Sequence, residues 1–249
     1  MVYRMYSKKN NMWLFSLLSL IKKTCLALCI LISTAAAQQP ALPPFADEVA
    51  AQFPAIGRLG KAGFRIRQSC TATLIAPSLI LTAAHCAAET GRSGSVFVAG
   101  LSRGNYIAAR QSDMEIRHPS YSITGTNSPR NDIAVIVLDS PIVDITPIPL
   151  GFVEDDKLYG TDVALIGYHR QTPHLLSGDF NCPVTYFDLG LMHVDCPVIN
   201  GNSGGPVLGR NENGSWQVVG VVSSQIGAGA IAVQLPYWLR QKVSALLKH

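Results

Sequence analysis

Short apolar runs separated by turn residues recur along the chain and constrain its fold more than any other feature. The runs are β-branched or alternating in character, and Gly, Pro, Asn or Ser stand between them at spacings of about 8–12 residues. This pattern is typical of antiparallel sandwiches and barrels, so we predict an all-β protein. Examples of the predicted strands are 64–66, 71–75, 79–82, 95–98, 133–138, 162–166, 206–208, 216–222 and 230–234.

Two further segments organise the body of the chain. Residues 145–150 carry prolines at 147 and 149 without a helical period, which predicts a linker between two halves. Pro236 can occupy the first turn of a helix, and we predict one helix over residues 236–248. Its apolar residues fall at helical spacing and form one stripe: Leu239, Val243, Leu246 and Leu247.

The first 37 residues have the pattern of a secretory signal peptide. Lys22 and Lys23 precede an apolar run that ends in small residues spaced Ala-x-Ala. We predict cleavage after Ala37 and a secreted or periplasmic protein that has no membrane contact after cleavage. The alternative is an uncleaved anchor over residues 12–36, with both lysines near the bilayer centre at roughly 2.5–3.5 kcal/mol each.

Charge and composition then limit the partners. Residues 1–37 hold five of the 20 basic residues and no acidic ones, which leaves 15 basic and 16 acidic residues and a formal charge of −1. A neutral surface without basic clusters predicts no nucleic-acid partner and no anionic membrane partner. We expect a monomer. Residues 38–54, with four prolines, are interpreted as an extended arm or a short pro-segment.

Four cysteines remain after the predicted signal peptide, an even number that suits an oxidising compartment. They are Cys70, Cys86, Cys182 and Cys196. Three pairings are possible, of which the pairing of neighbours closes two loops of about 15 residues, worth about 3 kcal/mol each. Zinc binding is the competing interpretation, but no C-x-x-C or H-x-x-x-H spacing occurs. No metal and no other cofactor is predicted.

Ser203 stands in the glycine-rich segment Gly-Asn-Ser-Gly-Gly-Pro at 201–206. A serine hydroxyl needs a base to become a nucleophile and donors for the oxyanion that forms. A tight turn at these glycines could aim the N–H groups of Gly201 and Ser203 into one concavity. The alternative is a glycine-rich hairpin loop with an incidental serine.

Two upstream residues could complete such a site. His85 follows the predicted strand 79–82 and could act as general base and then general acid. Asp132 opens the apolar run 133–138, where a carboxylate is costly to bury unless it accepts hydrogen bonds, for example from an imidazole. The alternatives are a structural histidine and a capping aspartate in a turn.

These segments resemble the three signature segments of trypsin-like (chymotrypsin-fold) serine peptidases, in the family's order His, Asp, Ser. The matching segments are 81–86, 131–138 and 201–207. Three more features match. The spacing of Cys70 and Cys86 resembles that of the family's histidine-loop disulfide, and residues 118–121 resemble a stretch often found ahead of the aspartate. Residues 219–223 resemble the strand beside the specificity pocket, whose serine supports the catalytic aspartate.

The resemblance covers about residues 55–245 and implies a fold and a site. The fold would be two six-stranded antiparallel barrels, at about 55–145 and 150–235, followed by the C-terminal helix. The first barrel would supply His85 and Asp132, and the second would supply Ser203, with the cleft between them. This resemblance implies a peptidase domain over residues 55–249.

The chain also departs from the animal members of that family. They carry an aspartate directly before the nucleophile, which pairs with a freed N-terminus, whereas this chain has Asn202 and no clear Ile-Val-Gly-Gly start. The compact layout is more similar to bacterial secreted members. A Cys182–Cys196 pairing would resemble the bacterial glutamyl-endopeptidase branch.

The resemblance also indicates which residues would line the specificity pocket. Pro197 stands where members specific for Lys or Arg carry an aspartate, and Val222 stands where glutamate-specific relatives carry a histidine. The remaining candidate pocket residues are Val198, Ser223, Ser224, Gln225 and Gly229. This lining implies a preference for neutral, small or medium apolar side chains, with Gln225 narrowing the pocket.

The sequence therefore predicts a secreted serine endopeptidase that acts on polypeptides through an acyl-enzyme. Two alternatives stay open: a catalytically silent binding protein on the same fold, and a membrane-tethered peptidase that keeps its N-terminus.

Overall fold

The computed structural model describes residues 40–61, 69–90, 94–122 and 129–248. The predicted signal peptide and the predicted strand 64–66 lie outside these residues. In the described ranges, no helix has the length and apolar character needed to cross a membrane.

The first six strands form a closed antiparallel barrel in the order β1-β2-β3-β6-β5-β4. Closure pairs every strand on both sides and so leaves no free edge. The strands are β1 (Ile56–Lys61), β2 (Cys70–Ala76), β3 (Leu79–Thr82), β4 (Ser95–Ala99), β5 (Ala108–Arg117) and β6 (Ala134–Leu138).

The next six strands form a second closed antiparallel barrel with the equivalent order β10-β11-β12-β9-β8-β7. They are β7 (Asp162–Gly167), β8 (Ser177–Asp188), β9 (Leu191–Val194), β10 (Pro206–Arg210), β11 (Trp216–Ile226) and β12 (Gly229–Gln234). Two six-stranded antiparallel barrels with a C-terminal helix confirm the predicted fold class.

Each barrel is filled by apolar side chains from its own strands. Leu74, Ile80 and Ile136 are fully buried in the first barrel. The second barrel has a valine-rich interior, in which Val207 is fully buried and Gly220 leaves room for the side chain of Met192. Burial of this apolar area is the main favourable contribution to folding.

Four strands lie outside the apolar runs named above: β1, β5, β8 and β9. β5 contains Arg110, Asp113 and Glu115, and β8 contains Asn181 and Pro183, residues that are depleted in strands. They are strands because neighbouring strands pair with their backbone on both sides, as β4 and β6 do with β5.

The predicted linker contacts both barrels. The N–H of Ile148 donates to the carbonyl of Leu74 in β2, at 3.0 Å. The carbonyl of Pro149 accepts from the N–H of Val218 in β11, at 2.9 Å. The linker therefore fixes the two barrels to each other rather than only connecting them.

The predicted arm packs against the second barrel. Pro44 pairs with Ser177 of β8 as an isolated bridge, and Leu42 and Phe53 are buried. The arm is not extended throughout, because it includes the short helix α1 (Asp47–Ala50).

The other α-helices in the described ranges are α2 (Ala84–Thr90), α3 (Asp155–Leu158) and α4 (Tyr237–Leu246). Leu239 and Val243 of α4 are buried as expected, but the prediction for Leu247 is wrong because 60% of it is exposed. The helix ends at Leu246, so Leu247 is the C-cap residue and leaves the apolar stripe.

Candidate active site

The register of two strands brings His85 and Asp132 to the same end of the first barrel. Thr82, the last residue of β3, lies opposite Ala134, the first residue of β6. His85 comes three residues after Thr82, in the first turn of α2, and Asp132 comes two residues before Ala134. Because paired antiparallel strands run in opposite directions, the end of one lies beside the start of the other.

The Asp132 carboxylate is almost completely buried and accepts three hydrogen bonds. His85 approaches it twice, with Nδ1 2.7 Å from Oδ2 and its backbone N–H 2.8 Å from Oδ1. Ser223 of the second barrel donates its hydroxyl to Oδ2 at 2.6 Å. The carboxylate therefore holds the Nδ1 proton of the imidazole and leaves Nε2 as the basic nitrogen.

These contacts determine the charge of Asp132. Burial by itself raises the pKa of this carboxyl group, but the hydrogen bonds and the charge of His85, with the Ser223 hydroxyl, hold the pKa below its ordinary value. Asp132 is therefore ionised at neutral pH.

The loop before β10 presents two backbone N–H groups that have no carbonyl partner among the described residues. They belong to Gly201 and Ser203. By contrast, the N–H groups of Asn202, Gly204 and Gly205 donate to the carbonyls of Ile199, Val222 and Asn202, respectively. Gly201 has a φ of 108°, which favours glycine, so the turn depends on this residue type.

A cavity of about 650 Å³ contains His85, Gly201 and Ser203 in its lining. The Ser203 hydroxyl lies 3.4 Å from the carbonyl oxygen of Ser223. A rotation about χ1 can turn this hydroxyl from the Ser223 carbonyl toward another acceptor in the cavity. The predicted nucleophile, the predicted base and the two free N–H groups therefore share one cavity.

The structure brings four of the six candidate pocket residues to this cavity: Val198, Ser223, Ser224 and Gln225. Pro197 and Gly229 are not among its lining residues. Gly229 begins β12, and a side chain there would meet the carbonyl of Val194 at 2.8 Å. Gln225 is exposed and donates its amide to the carbonyl of Gly227.

Few charged groups face the cavity. Arg170 and His85 are the ionisable residues among its described lining, and Asp195 lies exposed outside it. Val198 and Val222 provide apolar lining. Arg170 had no sequence signal, because nothing in its neighbourhood matches a known motif.

Asn202 is buried and satisfied without a charged partner. Its Oδ1 accepts from the N–H of Ile199 at 2.9 Å, and its Nδ2 donates to the carbonyl of Tyr168 at 3.3 Å. A buried amide with both ends paired needs no ammonium group. The loop before Ser203 is therefore held by neutral hydrogen bonds.

The structure contains the two disulfides between neighbouring cysteines, Cys70–Cys86 and Cys182–Cys196. The first joins β2 to α2 beside His85. In the described ranges, two groups bring three His, Cys or Asp side chains together, and each contains one of these disulfides. Each group therefore offers a single donor that is not a bonded cysteine.

The chain was compared with known proteins. The family model of the trypsin-like peptidase domain matches residues 70–221, more than half of the chain. A solved structure of a Glu endopeptidase in complex with MPD is similar, with a TM-score of 0.68 and 23% identity, over 85% of this chain and 99% of that one. At this identity the likeness shows the fold. No curated protein sequence matches the chain.

Proposed function

The chain belongs to the trypsin-like peptidase family, and we propose that it is a serine endopeptidase with Ser203, His85 and Asp132 as its catalytic residues. One observation carries the proposal. Asp132 accepts hydrogen bonds from His85 and from Ser223, so one carboxylate joins the two barrels at the cavity that Ser203 lines.

The geometry supports an acyl-enzyme mechanism. Ser203 Oγ attacks the carbonyl carbon of the scissile bond while its proton passes to His85 Nε2. The oxyanion then accepts from the N–H groups of Gly201 and Ser203. The imidazolium, stabilised by Asp132, gives its proton to the leaving amine, and water releases the acyl group by the same steps in reverse.

Two of the lining residues support a preference for neutral, small or medium apolar side chains before the scissile bond, whereas Arg170 is a cation in the same lining. Val198 and Val222 offer no partner for a charged side chain. By the family resemblance, Val222 stands at the position where glutamate-specific relatives carry a histidine. The comparison structure is of a Glu endopeptidase, and we propose a different preference for this chain on the basis of that single position.

We further propose that the protein works outside the cytoplasm as a monomer on polypeptide substrates. The two disulfides suit an oxidising compartment. Sequencing the N-terminus of exported protein tests this proposal, and we expect it to begin at Gln38. A retained N-terminus would support the tethered alternative.

Labelling with a fluorophosphonate probe tests the nucleophile and the silent alternative together. We expect the wild-type protein to be labelled covalently and Ser203→Ala to remain unlabelled. Ser215→Ala, at an exposed turn, is the matched control and should label like the wild type. Absence of labelling in the folded wild type would contradict the proposed function.

A peptide library then tests the preference separately. We expect the dominant cleavages to follow neutral, small or medium apolar residues. Dominant cleavage after Arg, Lys or Glu would contradict the preference while leaving the nucleophile in place.

A further inference from the structure

Thr71 is a fully buried residue of β2 that contacts the second barrel directly. Its relative exposure is 0%, and it follows Cys70 of the first disulfide. It has no role in the proposed chemistry. Its partners, however, include both residues that carry the proposed oxyanion donors.

The hydroxyl of Thr71 makes two short hydrogen bonds across the barrel interface. It donates to the carbonyl oxygen of Gly201 at 2.8 Å and accepts from the N–H of Tyr168 at 2.9 Å. A hydroxyl has one proton, and the carbonyl of Tyr168 lies farther away at 3.4 Å, so the proton is directed at Gly201.

The backbone of Thr71 holds the neighbouring position of the same loop. Its N–H donates to the carbonyl of Ser203 at 2.8 Å, and its own carbonyl accepts from the Thr82 hydroxyl at 2.9 Å. Thr71 therefore fixes the carbonyl groups of Gly201 and Ser203, the two residues whose N–H groups are free for an oxyanion.

Gly201 is the position in this loop at which such a constraint matters most. It has a φ of 108° and no side chain, so its peptide units can turn at little steric cost. The Gly201 carbonyl belongs to the peptide that follows its Cα, and the Gly201 N–H belongs to the peptide that precedes it. The Thr71 hydrogen bond therefore orients the following peptide directly and restrains the N–H through the backbone angles of Gly201. Oxyanion donors act efficiently only when they are already oriented before the reaction.

We propose that Thr71 is a positioning residue: its hydroxyl holds the peptide after Gly201 and so limits the backbone angles of Gly201 to those that direct the Gly201 N–H at the oxyanion. The inference rests on the proposed serine peptidase function. It concerns the side chain only, because the backbone bond to Ser203 survives any substitution other than proline.

The same strand offers a matched control. Thr73 is also buried, at 1% exposure, but its hydroxyl has no hydrogen-bond partner among the described residues. Thr73→Val removes an unpaired hydroxyl, whereas Thr71→Val leaves the Tyr168 N–H and the Gly201 carbonyl without their partner. Thr71→Ser keeps the hydroxyl and loses only the methyl group.

The experiment compares wild type, Thr71→Val, Thr71→Ser and Thr73→Val. The readouts are kcat and KM on a peptide amide, the rate of fluorophosphonate labelling, and the melting temperature. We expect Thr71→Val to lower kcat and the labelling rate by about 10–100-fold, less than direct loss of a donor, with KM within about twofold. Thr71→Ser should restore most of kcat, and Thr73→Val should match the wild type. If Thr71→Val does not fold, Thr71→Ala replaces it with the same expectation.

Equal kcat in the Thr71→Val and Thr73→Val variants would overturn the inference while the labelled wild type still supported the proposed function. A lower melting temperature of Thr71→Val with unchanged kcat would also overturn the inference, since Thr71 would then contribute only to stability. An unlabelled wild type would overturn the proposed function, and this inference with it.

Discussion

The two barrels share a strand order but supply the proposed site in different ways. The first barrel supplies side chains at strand ends, the His85 imidazole and the Asp132 carboxylate, tied by a 2.7 Å contact. The second supplies a loop whose backbone N–H groups face the cavity and whose shape depends on buried neutral groups such as Asn202. Substitution of His85 or Asp132 should therefore remove chemistry and leave the fold, whereas substitution of the buried groups that hold the Ser203 loop should disturb the loop itself.

The largest expected effect comes from the first barrel and tests whether His85 is the base. His85→Ala removes the base but leaves the barrel core intact, so kcat should fall on the order of 10⁴-fold or more. His193→Ala, in β9 of the second barrel, is the control and should stay near wild-type activity. Steady-state kinetics on a peptide amide, with circular dichroism to check folding, measures both. A modest loss in His85→Ala would refute its role as base.

Two opposite substitutions, one in each barrel, test the difference between the barrels most directly. Asp132→Asn should lower kcat by about 10⁴-fold, because the amide no longer selects the productive imidazole tautomer, and it should cost less unfolding free energy than Asn202→Asp because it introduces no charge. Asn202→Asp should instead cost about 3–5 kcal/mol, because a buried carboxylate would face the Tyr168 carbonyl without a cation.

Urea unfolding and kinetics on both variants distinguish these effects. An Asn202→Asp variant as stable as the wild type would show that the loop tolerates charge, and the contrast between the barrels would then be wrong.

The two disulfides give a smaller, directly matched test. They join residues 16 and 14 positions apart, so each should contribute about 3 kcal/mol of unfolding free energy. Replacing Cys70 and Cys86 by alanine should also lower kcat by about 10-fold or more, because Cys86 adjoins His85. Replacing Cys182 and Cys196 should cost stability and spare kcat in the folded fraction. Equal effects on kcat would contradict this difference.

Acidification gives the smallest expected effect and separates two histidines, His118 and His169, from Asp132 by pH window. Burial lowers the pKa of His169, near the second barrel, and of the more exposed His118. Unfolding therefore takes up protons once the pH falls below 6.5, and stability should decline from there. Asp132 has a lowered pKa, so its contribution is complete above about 3.8 and is lost only as the pH falls through its folded value.

Urea unfolding between pH 8 and pH 3 measures these windows. Asp132→Asn should keep the decline that begins near pH 6.5 and lose the one at more acidic pH. A wild-type stability that stays constant down to pH 4 would contradict the assignment to His169.

The sequence predicts strands and candidate site residues most directly where side-chain identity carries the information. His85, Asp132 and Ser203 stand in motifs with distinctive residue types, and strands such as β3 and β6 are continuous apolar runs. β5 and β8 were not predictable, because their polar residues become strand residues only through pairing with neighbours. The hydroxyl of Thr71 carries no local signal, since its partners lie 97 and 130 residues away.

The neutral pairing of Asn202 has a consequence for timing. A loop that reaches its shape through uncharged internal partners needs no freed N-terminal ammonium group to complete it. Under the proposed function, this loop would be in place as soon as the chain folds, and control over the protein would then begin with where folding occurs.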